Sequence, residues 1–356
     1  MSLDVAVEAR LRATVVVVTF NHRHVVPRCL DAVRATVGSE AEVVVVDNAS
    51  TDGTADRVQA EYPWVRLVRS ATNVGFGAAA NLGAARARGP YLVFLNPDTE
   101  PQPRWLAALL AGLEAAPRAG LATAKLLLAG APERLDAFGN EVHVSGITTC
   151  RGWSRPAGSF DRPDDVSAVS GACFAVPRAL FARLGGFDER LFLYFEDTDL
   201  SLRARLAGHR CLAVPDALVL HDHRPGVSAT KLRCLERNRW WTLLKVYRWP
   251  TLIALGPVLL AAEGVAWGMA ARNGRSHLAA KALAWGDLAR WLPALPAARA
   301  SAQLTRRVPD GKLLRRHTTR LRVSQVAGGA LAQAAEWLAA LLFALARAPA
   351  AALCRP

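Results

Sequence analysis

Tyr91-Leu92-Val93-Phe94-Leu95-Asn96-Pro97-Asp98 decides the fold class. The five apolar residues read as a strand buried on both faces, and Asn96-Pro97-Asp98 closes it with a turn. A carboxylate is thereby placed at a strand's carboxyl end, where open α/β sheets bind ligands. Upstream, residues 14–20 (TVVVVTF), 42–47 (EVVVVD) and 65–68 repeat the β-branched pattern, with helical stretches near 25–36, 53–61 and 76–88 between them. Strands apolar on both faces and alternating with helices predict a mainly parallel sheet covered on both sides.

Downstream, residues 102–116 read as a helix and 120–128 as a strand. Residues 130–165 read as Gly/Pro-rich loop with short strands, 170–176 as a strand, 177–184 as a helix and 185–188 as a turn. Phe195-Glu196-Asp197-Thr198-Asp199-Leu200 opens a helix that runs to about Ala207 and stops at Gly208. Val219-Leu220-His221 ends the domain.

Charge divides the chain. From Lys231 onward there are 20 Lys and Arg against 5 Asp and Glu; subtraction from the totals of 44 and 30 leaves 24 against 25 before it. A near-neutral domain is joined to a basic tail that suits an anionic partner. The tail is rich in Leu and Ala and carries seven of the ten tryptophans (240, 241, 249, 267, 285, 291 and 337). It lacks the patterns of nucleic-acid modules, so an anionic membrane surface is expected and nucleic acid is not. Thr251–Ala271 and Val326–Ala346 each hold 21 residues with a single charge, long enough to span a bilayer. Residues 272–325 between them carry 12 Lys and Arg against 2 Asp and Glu, and Gly256-Pro257 interrupts the first run. Helices lying in or dipping into the cytosolic leaflet are therefore expected, with a soluble helical bundle as the alternative. Six scattered cysteines without a C-x-x-C pair point away from a disulfide framework or zinc site. The first twelve residues carry no signal-peptide pattern, so the catalytic part is expected on the cytoplasmic side. The expected organisation is a tail at 1–12, a catalytic domain at 13–230 and a helical membrane-associating region at 231–356.

Several groups have the chemistry of a nucleotide site. Asp47 follows the second strand and can accept from a nucleobase or ribose; Ser50, Thr51 and Asp52 read better as helix caps. Asn73-Val74-Gly75-Phe76-Gly77 is a glycine-bearing turn into a helix, suited to a phosphate or, equally, to tight packing. Asp98 suits a Mg²⁺ or Mn²⁺ ion that neutralises a diphosphate. Carboxylates at the start of the Glu196 helix are expected to stay ionised, which suits a base. On that helix Glu196 and Asp199 share a face while Asp197 points elsewhere. His221 or His223 can complete a metal site with Asp98. His22 and His24 read as loop-surface residues.

VVVVTFN (15–21), VVDNASTDGT (45–54), NVGFGAAAN (73–81), LNPDT (95–99), SGACFAVPR (170–178), the run 185–208 and His221 together resemble family 2 glycosyltransferases of the GT-A fold. The likeness extends over about residues 13–240 and is greatest to bacterial rhamnosyltransferase-like members. It implies that Thr19, Asn21 and Asp47 line a nucleoside pocket and that Asn73, Gly75 and Asn96 border the donor. It also implies that Asp98 is the metal-binding carboxylate, His221 contacts metal or diphosphate, and Asp197 is the catalytic base with Glu196 beside it. Asn96 stands where many relatives have a first carboxylate, which leaves one carboxylate in that motif. The implied reaction is inverting transfer of a sugar, L-rhamnose from thymidine-diphosphate-rhamnose, to a polyprenyl-diphosphate-linked or glycan acceptor. A uridine-diphosphate sugar as donor, or a non-catalytic relative that binds nucleotide sugar or lipid, are the alternatives.

Overall fold

The computed structural model describes residues 11–223 and 226–321. The chain divides into two compact units, one of Met1–Gly139, Cys150–Leu200 and His209–His223, the other of Asn140–Thr149, Ser201–Gly208 and Arg224–Pro356.

In the first unit, β1 (Ala13–Thr19), β2 (Ala41–Asp47), β3 (Arg66–Arg69) and β4 (Tyr91–Leu95) lie parallel in the order β4-β1-β2-β3. All seven residues of β1 are buried. A valine run covered on both faces of the sheet needs no polar face, and this is why alternation is missing from its sequence. The connecting helices are α1 (Val26–Val37), α2 (Thr54–Glu61) and α3 (Phe76–Ala85). Buried Val26, Cys29, Leu30, Val33 and Val37 make one stripe of α1 at helical spacing. Each such aliphatic side chain contributes roughly 1.5–3 kcal/mol when taken out of water.

The register puts Thr19 opposite Asp47 and Val17 opposite Leu95, so three strands end along one edge of the sheet. After β3 the chain returns to the far side of β1 to form β4. The carboxyl ends of β1 and β4 therefore flank a topological switch point, where a crevice opens.

The other half of this sheet is mixed. It contains β5 (Thr99–Pro101), β6 (Ala119–Leu128), β7 (Ala131–Phe138), β10 (Asp164–Asp165), β11 (Cys173–Pro177) and β12 (Arg210–His221). A separate pair, β8 (Asn140–Val142) and β9 (Thr148–Cys150), lies between β7 and β10 in sequence. Helices α4 (Trp105–Ala115), α5 (Arg178–Arg183) and α6 (Glu196–Leu206) complete the order. β11 runs antiparallel to β4 and β6, and β12 runs parallel to β6. β5 pairs antiparallel with β12, setting Thr99 opposite His221. The segment expected as loop with short strands thus contains the eight-residue β7, whose first half is largely exposed.

The second unit is built mainly from α7 (Ala229–Val246), α8 (Trp249–Ala254), α9 (Gly256–Arg272), α10 (Arg275–Trp291), α11 (Leu295–Leu304) and α12 (Asp310–Leu314). Ser228 starts α7 by accepting from the Lys231 amide at 3.2 Å. The run Thr251–Ala271 is two helices that break at Leu255, just ahead of Gly256-Pro257. No described helix is long and apolar enough to cross a membrane. Val326–Ala346 lies outside the described residues. Within this unit Lys281, fully buried, and Arg239 are held between Glu236 and Glu263. The indoles of Trp240 and Trp285 donate to Glu263 at 3.1 and 2.8 Å. Two acids and two bases bury together here without a net charge.

Candidate active site

A cavity of about 350 Å³ opens at the switch point of the first unit. Its floor comes from the ends of β1 and β4, with Val18, Phe20 and His22 on one side and Asn96, Pro97 and Asp98 on the other. Asn48, Asn73 and Gly75 form a second wall, and Phe192, Leu193 and Tyr194 the rim. Of the expected donor residues, Asn73, Gly75 and Asn96 line this space. Thr19 and Asp47 are buried at the strand ends, and Thr19 Oγ1 and Asp47 Oδ1 make no hydrogen bond among the described residues. Asn21 is exposed with φ +55°, and its Oδ1 accepts from the Thr51 amide at 2.8 Å. Ser50 and Asp52 tie the loops after β1 and β2 together: Ser50 Oγ accepts from the Asn21 amide at 2.9 Å and Asp52 Oδ2 from the Arg23 amide at 3.0 Å. The expected capping of α2 is thus secondary; Asp52 Oδ1 reaches the Thr54 amide at 3.0 Å while the N-cap position itself is Gly53.

Asn48 and Asn73 clasp the two donor loops. Asn48 Nδ2 donates to Asn73 Oδ1 at 3.0 Å, Asn48 Oδ1 accepts from the Val74 amide, and Asn73 Oδ1 accepts from the Gly75 amide. The Phe76 amide donates to Phe192 O at 2.6 Å. The amides of Gly75 and Phe76 are therefore already engaged within the protein. Gly75 has φ +85°, and a Cβ there would lie 2.4 Å from Phe192 O. Phe192 itself has φ +63° and ψ −59°, and the Leu193 amide donates to Leu191 O at 2.7 Å. That is the strained form of γ-turn. Tyr194 and Phe195 follow with φ +65° and +78°.

Asp98 and His221 meet through the pairing of β5 with β12. His221 Nε2 lies 3.5 Å from Asp98 Oδ1, an oxygen that is buried and makes no hydrogen bond among the described residues. On its other side His221 Nδ1 lies 2.6 Å from Asp136 Oδ2, and His223 Nδ1 lies 3.2 Å from Asp136 Oδ1. Burial works against a charged imidazole, but the hydrogen bond to Asp136 and the nearby Asp98 carboxylate outweigh it and raise His221 to about 10. Burial likewise opposes the Asp136 carboxylate, and His221 and His223 overcome it, holding Asp136 at about 2. Asp98 is held below the ordinary carboxylate range because His221 more than offsets its burial. An unpartnered buried carboxylate oxygen beside an imidazole nitrogen is a donor set that fits a divalent cation.

At the start of α6 the four acidic-run positions separate. Asp199 is fully buried, Glu196 is 9% exposed and Asp197 is half-buried. Asp197 Oδ2 accepts from the Gly171 amide at 2.8 Å and Oδ1 from the Thr198 amide at 2.6 Å. Burial raises Asp197, and these backbone amides pull against the rise. Glu196 is pushed up to about 8, by burial first and by the charge of Asp197 second. The expectation that the helix dipole keeps these groups ionised fails at Glu196. A dipole contributes about 1 kcal/mol, less than one pKa unit, and desolvation exceeds it.

The family description "Glycosyl transferase family 2" matches residues 14–184. Over 232 residues the sequence is 33% identical to N-acetylglucosaminyl-diphospho-decaprenol L-rhamnosyltransferase of Mycobacterium tuberculosis (strain H37Rv), an alignment spanning 58% of this chain and 75% of that protein. The chain belongs to glycosyl transferase family 2. As a family 2 glycosyltransferase it has a GT-A-type sheet, and solved structures agree. The crystal structure of GalNAc-T7 with UDP, GalNAc and Mn²⁺ superposes with TM-score 0.59 at 21% identity, over 70% of this chain and about half (51%) of that one. That of S. aureus TarS 1-349 gives TM-score 0.53 at 17% identity, over 83% and 89%.

Three residues of this family 2 site escape a reading of the sequence. His22, expected on the loop surface, lines the cavity, and burial lowers its pKa against the pull of Asp98 and Asp52. His24 is exposed as expected. Asn48 sits one residue past Asp47, and its position at a strand end was the available signal. Asp136 carried none, because its segment read as loop.

Proposed function

We propose that this family 2 enzyme is an inverting transferase that moves L-rhamnose from thymidine-diphosphate-rhamnose to a lipid-linked glycan acceptor. The observation that carries the reading is Asp98 Oδ1, buried at the cavity wall without a hydrogen bond among the described residues, with His221 Nε2 3.5 Å away. Asp98 and His221 would hold Mg²⁺ or Mn²⁺, which when bound neutralises charge on the departing nucleoside diphosphate. The Mn²⁺ named with UDP in the GalNAc-T7 structure supports a divalent ion. The sugar and acceptor follow the name of the mycobacterial relative.

Thr19, Asn21 and Asp47 take the nucleoside in this reading, and Asn48, Asn73, Gly75 and Asn96 take the rest of the donor. Asp197 is the base. Its carboxylate removes the proton of the acceptor hydroxyl, and that oxygen's lone pair bonds to the anomeric carbon. The bond from that carbon to the diphosphate oxygen breaks on the opposite face, which inverts the centre. The Gly171 and Thr198 amides fix the carboxylate for that transfer. Glu196, buried beside it, is a neutral acid near pH 7 and adds no second negative charge there. Phe192 and Tyr194 at the rim exclude water, which would otherwise hydrolyse the donor.

The domain boundaries follow the function: catalysis over 13–230 and membrane association over 231–356. Trp249, Ile253 and Leu260 are 52%, 76% and 75% exposed on α8 and α9, in the part of the chain with 20 basic and 5 acidic residues. Exposed apolar side chains with surplus positive charge fit the anionic cytoplasmic leaflet of the plasma membrane, where a lipid-linked acceptor lies.

The test is donor turnover. Purified protein with Mg²⁺ or Mn²⁺ and membrane lipid extract is screened against a panel of thymidine- and uridine-diphosphate sugars for released nucleoside diphosphate. Release from thymidine-diphosphate-rhamnose, reduced about 10²–10⁴-fold by Asp197→Asn with nucleotide affinity retained, is the expected result. Release from a uridine-diphosphate sugar alone overturns the donor assignment. Undiminished turnover by Asp197→Asn overturns the base.

A further inference from the structure

We propose that Asp136 is a positioning residue that holds His221 with Nε2 directed at Asp98, an inference that rests on the reading of Asp98 and His221 as the cation site. The side chain of Asp136 is 2% exposed, and its two oxygens face the Nδ1 atoms of His221 and His223 at 2.6 and 3.2 Å. A carboxylate only accepts hydrogen bonds, so the nitrogen of His221 that faces Asp136 is the one carrying hydrogen. Nε2, 3.5 Å from Asp98 Oδ1, is then the nitrogen that would give up its hydrogen to face a bound cation.

The backbone around Asp136 supports a built site rather than a chance contact. β6 pairs with β7 along one edge and with β12 along the other, so Asp136 reaches His221 across an intervening strand. The β6–β7 register steps from Leu126↔Ala137 to Leu127↔Leu135. Asp136 is the extra residue of that bulge. A bulge re-aims the side chain it carries, and such irregularities concentrate beside active sites. The ring centroids of Trp153 and His223 lie 4.9 Å apart with the planes tilted by 55°. Such a carboxylate–histidine pair sets both ring orientation and tautomer in a metal site, and its loss lowers metal affinity without removing a ligand.

The experiment uses the full-length protein and Mn²⁺ alone, with free Mn²⁺ read by electron paramagnetic resonance. Ring-nitrogen chemical shifts of ¹⁵N-histidine protein saturated with diamagnetic Mg²⁺, assigned with His221→Asn, report the tautomer. Asp98→Asn is expected to weaken Mn²⁺ binding at least about tenfold, and Asp136→Asn about 10–100-fold. The wild-type His221 is expected to carry hydrogen at Nδ1, and Asp136→Asn to show a mixture of tautomers with unchanged near-ultraviolet circular dichroism. If Asp98→Asn weakens binding but Asp136→Asn leaves both affinity and tautomer as in wild type, the positioning role is refuted and the cation site stands. If Asp98→Asn leaves Mn²⁺ affinity unchanged, the cation site itself falls, and this role with it. Should Asp136→Asn not fold, the wild-type spectrum decides: a neutral His221 with hydrogen only at Nε2 refutes the role.

Discussion

Replacing Gly75 by alanine perturbs the cavity rim at one methyl group. Gly75 has φ +85° and ψ +165°, a region that only glycine occupies freely, so the backbone term is about 1–3 kcal/mol. The added Cβ would meet Phe192 O at 2.4 Å and Phe192 Cα at 2.7 Å. Both are backbone atoms, so no side-chain rotation relieves the clash, and overpacking of this kind adds about 1–3 kcal/mol. The total is about 2–6 kcal/mol, against a typical domain stability of about 5–15 kcal/mol. Gly38→Ala separates the two terms. Gly38 also has a positive φ, +53° with ψ −138°, a conformation that likewise favours glycine, but nothing lies within 4 Å of its Cβ position, so only the backbone cost of about 1–3 kcal/mol remains. Urea unfolding followed by fluorescence gives both stabilities, and calorimetric titration with nucleoside diphosphate gives the effect on the cavity. Gly75→Ala is expected to lose more stability than Gly38→Ala and to bind nucleotide more weakly, because Phe192 must retreat. Equal stabilities of the two variants, with unchanged nucleotide affinity, refute the account of the rim.

Glu196 gives a pH signature. Folded, it keeps its proton up to about pH 8; unfolded, it releases the proton near its ordinary value of 4.5. Between those limits folding takes up a proton, so this group's contribution is complete below pH 4.5 and is lost as pH rises toward 8. Glu196→Gln is expected to flatten that decline, measured as unfolding free energy at pH 5 and pH 8; equal slopes in variant and wild type contradict the burial argument. Lys281→Met leaves Glu236 and Glu263 to share Arg239 in the helical unit, and chemical unfolding is expected to show a loss of about 3–5 kcal/mol. A loss below about 1 kcal/mol would mean that the buried quartet is held together otherwise. The double variant Ile253→Ser, Leu260→Ser is expected to reduce flotation with anionic liposomes at high salt, where apolar contact dominates, and equal flotation would locate the membrane contact elsewhere.

The parallel half of the sheet was legible because β1, β2 and β4 are apolar runs with no competing period. TVVVVTF, EVVVVD and YLVFL all became strands, and their ends set the cavity where the switch-point rule places it. The Gly208 stop of α6 was equally local, since a glycine at positive φ ends a helix by itself. What stayed hidden depended on contacts distant in sequence. β7 reads APERLDAF, exposed along most of its first half and bulged at Asp136, so neither alternation nor an apolar run marked it. The bond from Asp136 to His221 joins residues 85 apart. The protonation of Glu196 follows from burial, and the helix start visible in its sequence argued the other way. His22 is ordinary loop sequence, and it lines the cavity only because β1 ends beside β4.

The γ-turn at Phe192 and the left-handed residues Tyr194 and Phe195 set two selective pressures against each other. Each of these aromatic residues occupies backbone space that costs about 1–3 kcal/mol for a side chain and little for glycine. A chain chosen only to resist heat would gain by glycine at the rim positions 192 and 194, but not at Phe195, whose buried side chain contributes more than its strain costs. The same change would strip Phe192 and Tyr194 from the cavity rim, leaving a wider and wetter mouth. Phe192 and Tyr194 are therefore residues that stability alone would discard, whereas Phe195 is held by its own packing.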